Sequence, residues 1–278
     1  MKRTLIYIAL GLLAVMTLFP LLYMVTNSFM GAEEFGRYYG KLSEGLSGRN
    51  PLHLIPEWIT MDGYHEILIA RPHYLMKFWV SMFISLTIMA GQVVVSCFSG
   101  YGFSQFEFKY KKTLFYLIII LMMMPYQVTL VSNYIVLDGL GLIGSYASLI
   151  IPGVFSTFGV FLITQVFSSM PRDIIEAAKI DGAGHFRILF RIVVPYNKSG
   201  IISLVILNFI DNWNMVEQPL VFLKDHYKYP LSVFLTYINE ADLGLGFACG
   251  VLAALPVIFL FLFFKEDLAR GIEYSNLK

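Results

Sequence analysis

Charge is what this sequence has least of. Asp, Glu, Lys and Arg together make up 14% of its 278 residues, against 57% hydrophobic residues, and the mean hydropathy is +0.68. A soluble domain draws about a quarter of its residues from the charged types to keep its surface in water, so this balance argues against a soluble fold. The few charges nearly cancel. A net charge of +1 leaves no basic surplus with which to grip a phosphate backbone, which argues against a nucleic-acid partner. Cysteine is nearly absent too. Cys97 and Cys249 both sit inside apolar runs and read as small, membrane-packed thiols, not as a disulfide framework or a zinc site. The five histidines (His53, His65, His73, His185, His226) are scattered without metal-ligand spacing. There is no phosphate-cradling Walker A loop, no His-Glu-x-x-His and no nucleophile motif, so nothing marks a membrane-embedded enzyme. No internal repeat or low-complexity tract stands out.

What the chain has instead is apolar runs long enough to cross a bilayer, for which about 20 residues suffice. Six are expected, over residues 5–29, 78–103, 113–135, 146–168, 200–222 and 244–264. The first is longer than the 7–15 residue core of a signal peptide and reads as a span, with Pro20 as a kink. The second is rich in Ser, Gly and Ala, residues that let helix backbones approach closely, and Gly246 and Gly250 make a small-residue face in the sixth. The third passes Pro125. Between the first two spans, residues 30–77 read as short helices with interfacial aromatics such as Trp58 and Tyr64.

Six spans put both termini on one side, and basic residues say which. Lys2, Arg3, Lys109, Lys111, Lys112, Arg172, Lys179, Arg187, Arg191, Lys198, Lys265, Arg270 and Lys278 would be cytoplasmic, 13 of the 20. Arg37, Lys41, Arg49, Arg71, Lys77, Lys224 and Lys228 would be outside. Cytoplasmic loops carry the excess of Lys and Arg, so the termini are expected inside. The whole of residues 1–278 is then one all-α transmembrane domain, and the polar stretch 169–199 is a cytoplasmic loop within it.

That stretch opens Pro171-Arg172-Asp173-Ile174-Ile175-Glu176-Ala177-Ala178-Lys179-Ile180-Asp181-Gly182-Ala183-Gly184. Pro171 suits a first helical turn, and Ser168 or Ser169 a cap. Asp173 and Glu176 lie near the positive end of the helix dipole, and the glycines are natural stops. Ile174, Ala177 and Ala178 fall together at helical spacing, a small apolar face for a groove on another protein. A membrane-surface helix that merely connects two spans satisfies the same pattern.

The fifth run is interrupted by Asn208, Asp211, Asn212, Asn214 and Glu217. An acid at mid-bilayer costs about 2.5–3.5 kcal/mol, so such groups face a cavity, a partner or a neighbouring helix. Asn208, Asp211 and Asn212 share a stripe with Met215, and Trp213 lies beside it. Two readings stand: a polar solute path with Trp213 stacking on a ring, or hydrogen bonds that hold helices together. Gln127, Asn133 and Tyr134 are weaker path candidates. The outer loop with Lys224, Asp225, His226, Tyr227, Lys228, Glu240 and Asp242 is either a docking surface or a solvated turn.

The spacing from Glu176 to Pro195 decides between docking and connection. Glu176, Ala177 and Ala178, then Gly182, Ile192, Val194 and Pro195, stand at every interval of the signature loop of binding-protein-dependent ABC importer permeases, with Val194 where that family usually has Leu. The chain resembles that family, and within it the maltose-type second permease subunit of the sugar branch. The resemblance extends to Pro56, Thr60 and Tyr64, Gly139-Leu140-Gly141-Leu142, Ile180-Asp181-Gly182-Ala183, Trp213-Asn214, Pro219-Leu220 and Gly271-Ile272. Val80 stands where that branch has Asn before Ser81, and the tail after Gly271-Ile272 matches loosely.

The resemblance implies a type I ABC importer permease with six transmembrane helices, in a bacterial or archaeal cell membrane. Glu176, Ala177, Ala178, Asp181, Gly182 and Ala183 would couple to a cytoplasmic ATPase dimer. On the solute-path reading of the fifth run, Asn208, Asp211, Asn212, Trp213, Asn214 and Glu217 would line the substrate pathway. The other implied partners are a second homologous permease, an extracytoplasmic solute-binding protein and a carbohydrate substrate. No cofactor is expected in this chain; ATP and Mg would belong to the ATPase, and no catalytic or metal residue is assigned. Two alternatives stay open: a permease for a non-sugar solute such as a polyamine, and an ion-coupled secondary carrier, which would need neither the loop nor its partner.

Overall fold

The computed structural model describes residues 2–43, 53–71, 73–237 and 243–276, with side chains described as far as Asp267. Arg49, Glu240, Asp242 and Lys278 lie outside the described residues, as do the side chains of Lys2, Arg3, Lys41, Arg270 and Ile272. All regular structure in the described residues is helical. That follows from the composition: in hydrocarbon every backbone N–H and C=O needs an internal partner, which a helix supplies within one segment.

The helices are α1 (Lys2–Asn27), α2 (Ala32–Ser43), α3 (Asp62–His65, continued by a π turn Glu66–Ala70), α4 (His73–Gln105), α5 (Lys111–Met123), α6 (Tyr126–Gly139), α7 (Ala147–Val154), α8 (Thr157–Ser168), α9 (Arg172–Ile180), α10 (His185–Ile188, continued by a π turn Leu189–Val193), α11 (Val194–Tyr196), α12 (Lys198–Trp213), α13 (Glu217–Phe222), α14 (Leu231–Thr236) and α15 (Leu243–Asn276). Four stretches are long and apolar enough to cross a membrane singly: Thr4–Asn27, His73–Gln105, Ala147–Ser168 and Leu245–Asp267. Two more become spans if bent pairs are counted, giving up to six.

The bends have local causes. The expected third run is two helices meeting at 105°. Proline lacks an N–H and forces the residue before it out of the helical region, and Met124 accordingly has ψ 128° ahead of Pro125. The expected fifth run also differs. Its helix α12 ends at Trp213, residues 214–216 are not helical, and α13 resumes at Glu217. The Asn214 side chain donates to the Ile210 carbonyl at 2.8 Å and closes α12, and Pro219 cannot continue the ladder. On the N-terminal side α12 meets the His185–Tyr196 segment at 78°.

The chain groups into two compact units, residues 1–79 with 230–256, and residues 80–229 with 257–278. In the first, Met30, Phe35 and Tyr39 are buried together against Tyr23 and Phe247. Gly250 admits Met24, whose sulfur would lie 2.7 Å from an added Cβ, whereas Gly246 faces open space. The expected small-residue face is therefore used at one of its two glycines. The Tyr74 hydroxyl donates to the Cys249 carbonyl at 3.1 Å. Residues Thr4 to Leu22 of α1 are exposed throughout, as a lipid-facing or partner-facing helix requires.

The second unit is built by close approach of α4 to α7 and α8, and of α12 to α8. An added Cβ at Gly153 would meet Ile88, at Gly159 it would meet Ser96 and Gln92, and at Gly200 it would meet Val166, each at under 3.0 Å. At Gly100 it would lie 2.8 Å from Ile163 Cγ2 and 3.1 Å from two backbone atoms, which cannot give way. Gly102, one half-turn on, has nothing within 4 Å. Gly100→Ala is therefore expected to lower stability by about 1–3 kcal/mol through overpacking. Gly102→Ala should be neutral or stabilising by up to about 1 kcal/mol. Thermal unfolding in detergent checks both, and equal effects would show that α4 and α8 do not meet at Gly100.

Candidate functional site: the α9 loop and the broken spans

The loop expected to dock is a short helix on a rigid mounting. Asp173 is in the first turn of α9 and Lys179 in the last, both favourable to the helix dipole. Neither serine caps it. Pro171 occupies the N-cap position with extended ψ 130°, and the Ser169 hydroxyl turns back to the Val166 carbonyl at 2.8 Å. The C-terminal end is a Schellman turn. The Ala183 N–H donates to the Ala178 carbonyl and the Gly182 N–H to the Lys179 carbonyl, both at 3.0 Å. Gly182 has φ +76°, the left-handed conformation that the turn demands and that costs other residues about 1–2 kcal/mol. The same turn ends α6, where Gly141 has φ +68° and the Leu142 N–H reaches the Leu137 carbonyl at 2.9 Å.

The orientation of α9 differs from the expected one. Ile175 and Ala178, three residues apart, are buried in a cluster with Cys97, Ile163, Phe167 and Ile188. Ala178 thus faces its own chain, because Ile175 is the large apolar residue the cluster needs and helical spacing brings Ala178 with it. The opposite face carries Asp173, Glu176, Ala177 and Ile180, all exposed, and Ile180 is 86% exposed. Asp181 and Gly182 are exposed, and Ala183 is partly covered. Five of the six residues expected to couple thus lie on or beside the accessible side.

The loop is held at its far end as well. The Tyr101 hydroxyl lies 3.0 Å from His185 Nδ1, and Phe98 packs edge-on against Phe186 and Phe190. The π turn Leu189–Val193 precedes Pro195, whose ring has no N–H for the ladder. At the 78° elbow the buried Asn197 side chain donates to the Val193 carbonyl at 2.9 Å and reaches Met170 Sδ at 3.7 Å. One amide thus joins the entry of the loop to its exit. Nothing in the spacing pattern singles out Asn197, and the Val193 carbonyl it meets also accepts the Asn197 backbone N–H at 3.1 Å.

The polar residues of the broken fifth run fall into two groups. Asn208 is buried, and the Asn212 amide donates to its carbonyl at 2.8 Å and to its side chain at 2.9 Å, within one helix. Trp213 is buried and stacks on Phe209 with centroids 5.6 Å apart. Asp211, Asn214 and Glu217 are exposed. The exposed Gln127 joins them: its amide donates to both Glu217 carboxylate oxygens at 3.0 and 3.1 Å. Gln127 follows the Pro125 break and Glu217 follows the 214–216 break, so the pair ties the two interrupted runs together. Non-helical backbone at membrane depth survives only where it is buried in protein or lines a wet cavity.

Comparison with known proteins follows this geometry. Residues 92–274 match the family described as binding-protein-dependent transport system inner membrane component. The chain belongs to that family. It is 30% identical over 272 residues to the arabinooligosaccharides transport system permease protein AraQ of Bacillus subtilis, covering 96% of this chain and 92% of that one. It is 26% identical to the sn-glycerol-3-phosphate transport system permease protein UgpE of Brucella abortus, over 86% of this chain and 90% of that one. A bacterial ABC transporter involved in the import of the acidic polysaccharide alginate shares the fold, with a TM-score of 0.81 over 96% of both chains at 19% identity. This permease is therefore a multi-pass membrane transport subunit of the type I ABC importer fold, not an enzyme. The matched residues include the whole of α9 and its turn.

The face assignment is open to chemical labelling, since Cys97 and Cys249 are both buried. Single cysteines at Ala177 and Ile180 of the isolated subunit should react with maleimide about tenfold faster than cysteines at Ile175 and Ala178, which become reachable only on local opening. Equal rates at positions 177 and 178 would refute the orientation of α9.

Proposed function

We propose that this permease is one of two homologous membrane subunits of an importer in a bacterial or archaeal inner membrane, that it carries a carbohydrate, most simply an oligosaccharide, and that ATP binding in a separate ATPase dimer drives it. The solute would arrive on an external binding protein. ATP and Mg would reside in the ATPase, and this chain would contribute no cofactor. The observation that carries the coupling part is the exposed face of α9, with Asp173, Glu176, Ala177 and Ile180 outward and Gly182 beside it, on a mounting fixed by Ile175 and Ala178.

A partner seated on that face would move α9 as one piece. The buried cluster links α9 to α8 and to the His185–Tyr196 segment, and the Asn197 elbow carries displacement into α12. The far end of α12 leads to the break beside Glu217. A push at the ATPase end would thus reach the polar patch at the broken runs, a two-state element biased by a partner.

The carbohydrate reading is supported by the arabinooligosaccharide transport named for one relative. Glycerol phosphate, named for another, is the second reading. The charge at the patch favours the first, since Asp211 and Glu217 would repel a phosphate in a low-dielectric path. In this proposal Asp211, Asn214, Glu217 and Gln127 meet the solute, and Asn208, Asn212 and Trp213 position them.

Two expectations test the scheme in the reconstituted importer. Gly182→Val places a branched side chain at φ +76° where no atom of this chain lies within 4 Å, so it should assemble with its partners yet lose transport and stimulated ATP hydrolysis. Normal transport by that variant would refute the coupling role. Glu217→Gln should lower the transport efficiency for the solute about tenfold, the scale of one charged hydrogen bond, while binding-protein-stimulated ATPase activity persists. Unchanged uptake would take Glu217 out of the path.

A further inference from the structure

A cavity of about 240 Å³ opens at the foot of α9, walled by the end of α4, the start of α5 and the end of α8. Lys111 and Arg172 stand on its rim from different elements, with Ser104, Gln105, Gln165 and Ser168 between them, and none of its lining residues is acidic. Glu107, an exposed acid beside it, pairs with the Lys111 ammonium at 2.9 Å, and that contact holds its carboxyl below the usual range, so it stays ionised. Lys112 adds a further positive charge beside it. With Lys111, Lys112 and Arg172 against Glu107 and Asp173, the neighbourhood keeps a surplus of one positive charge.

The volume suits a small polar group. At about 30 Å³ for each water of the liquid, it holds about eight waters, and it lies below the roughly 300 Å³ at which pockets for drug-sized ligands begin. Phe103 and Phe115 form the apolar part of its wall. From there α5 presents Leu114, Leu117 and Leu121, exposed along one side, and α5 buries no residue at all. Charge bias puts this end of the helices on the cytoplasmic side, where anionic headgroups concentrate.

We propose that this cavity is a seat for the phosphodiester headgroup of an anionic phospholipid. Arg172 and Lys111 hold the phosphate, Ser168, Gln165 and the second N–H of Gln105 donate to its remaining oxygens while the Ser104 hydroxyl stays on the Tyr101 carbonyl, and one acyl chain lies along the leucines of α5. Basic pockets between membrane helices on the cytoplasmic side bind such headgroups, and a guanidinium matches phosphate in a bidentate way. Because Arg172 is the first residue of α9, an occupied seat ties α5 to the foot of the loop helix. Lipid composition thereby acts on the stiffness of the mounting from within the membrane.

Native mass spectrometry of the assembled complex from mixed phosphatidylglycerol and phosphatidylcholine nanodiscs tests the seat. Phosphatidylglycerol should be retained about tenfold over phosphatidylcholine. The preference should vanish in Lys111→Gln/Arg172→Gln, and also in Ser168→Phe, which fills the cavity and leaves both charges in place. Equal retention of the two lipids, or a preference that survives both variants, overturns the proposal. A second arm adds inorganic phosphate to complexes in phosphatidylcholine alone. If phosphate raises their unfolding temperature through Lys111 and Arg172 while phosphatidylglycerol gains no preference, the site takes free phosphate and the lipid source is overturned.

Discussion

The packing of Ile175 and Ala178 into the cluster around Phe167 and Ile188 is the contact on which the rest of the loop depends. A helix of nine residues is too short to persist alone in water, and its stability comes from the face it buries. Those two side chains bury one face and so choose the other. Everything accessible on α9, from Asp173 to Ile180, is accessible because Ile175 is not. The Schellman turn at Gly182 then closes the helix without a side chain, and the surface beside the turn stays open. The loop is thus an exposed face on a fixed support, which is what a lever requires.

The second governing constraint is the backbone in lipid. Helices satisfy it trivially, and the places where the described chain interrupts them are informative. Besides the Phe155-Ser156 break and the Asn197 elbow, there are the Met124-Pro125 corner and the 214–216 gap. The Gln127–Glu217 contact bridges the last two. Polar groups bonded inside one helix, as Asn208 and Asn212 are, need no cavity to explain them. Asp211, Asn214 and Glu217 are exposed beside broken backbone, and this contrast divides the interrupted run into an internally bonded half and an exposed half, the half that the proposed function gives to the solute.

Both themes meet at Asn197. It satisfies the Val193 carbonyl at the elbow, and it touches Met170 at the other end of the loop. Its backbone N–H and its side chain both donate to that carbonyl, so one residue pins the elbow to both ends of the loop. The cavity between Lys111 and Arg172 lies at the same foot of the loop. In the proposed scheme force and lipid both act there, on the same few residues just before and just after α9.

Much of this was legible in the residues. Apolar run lengths determined that the chain crosses a membrane as helices, because only run length and backbone satisfaction enter that decision. The interval pattern from Glu176 to Pro195 marked the loop, and the glycine needed at a left-handed turn lies within it. Periodicity did not decide which face of α9 turns inward: Ile174 and Ile175 are equally apolar neighbours, and either satisfies a helical stripe. Composition likewise did not separate Asn208, Asn212 and Trp213 from Asp211, Asn214 and Glu217, nor pair Gln127 with Glu217 across 90 positions. Those choices depend on what lies opposite each side chain. The sequence by itself determined the medium, the element type and the place of the polar loop, all properties of local order along the chain. Which side chains look inward, and where two broken helices meet, was decided only by tertiary packing, because burial is set by neighbours distant in sequence.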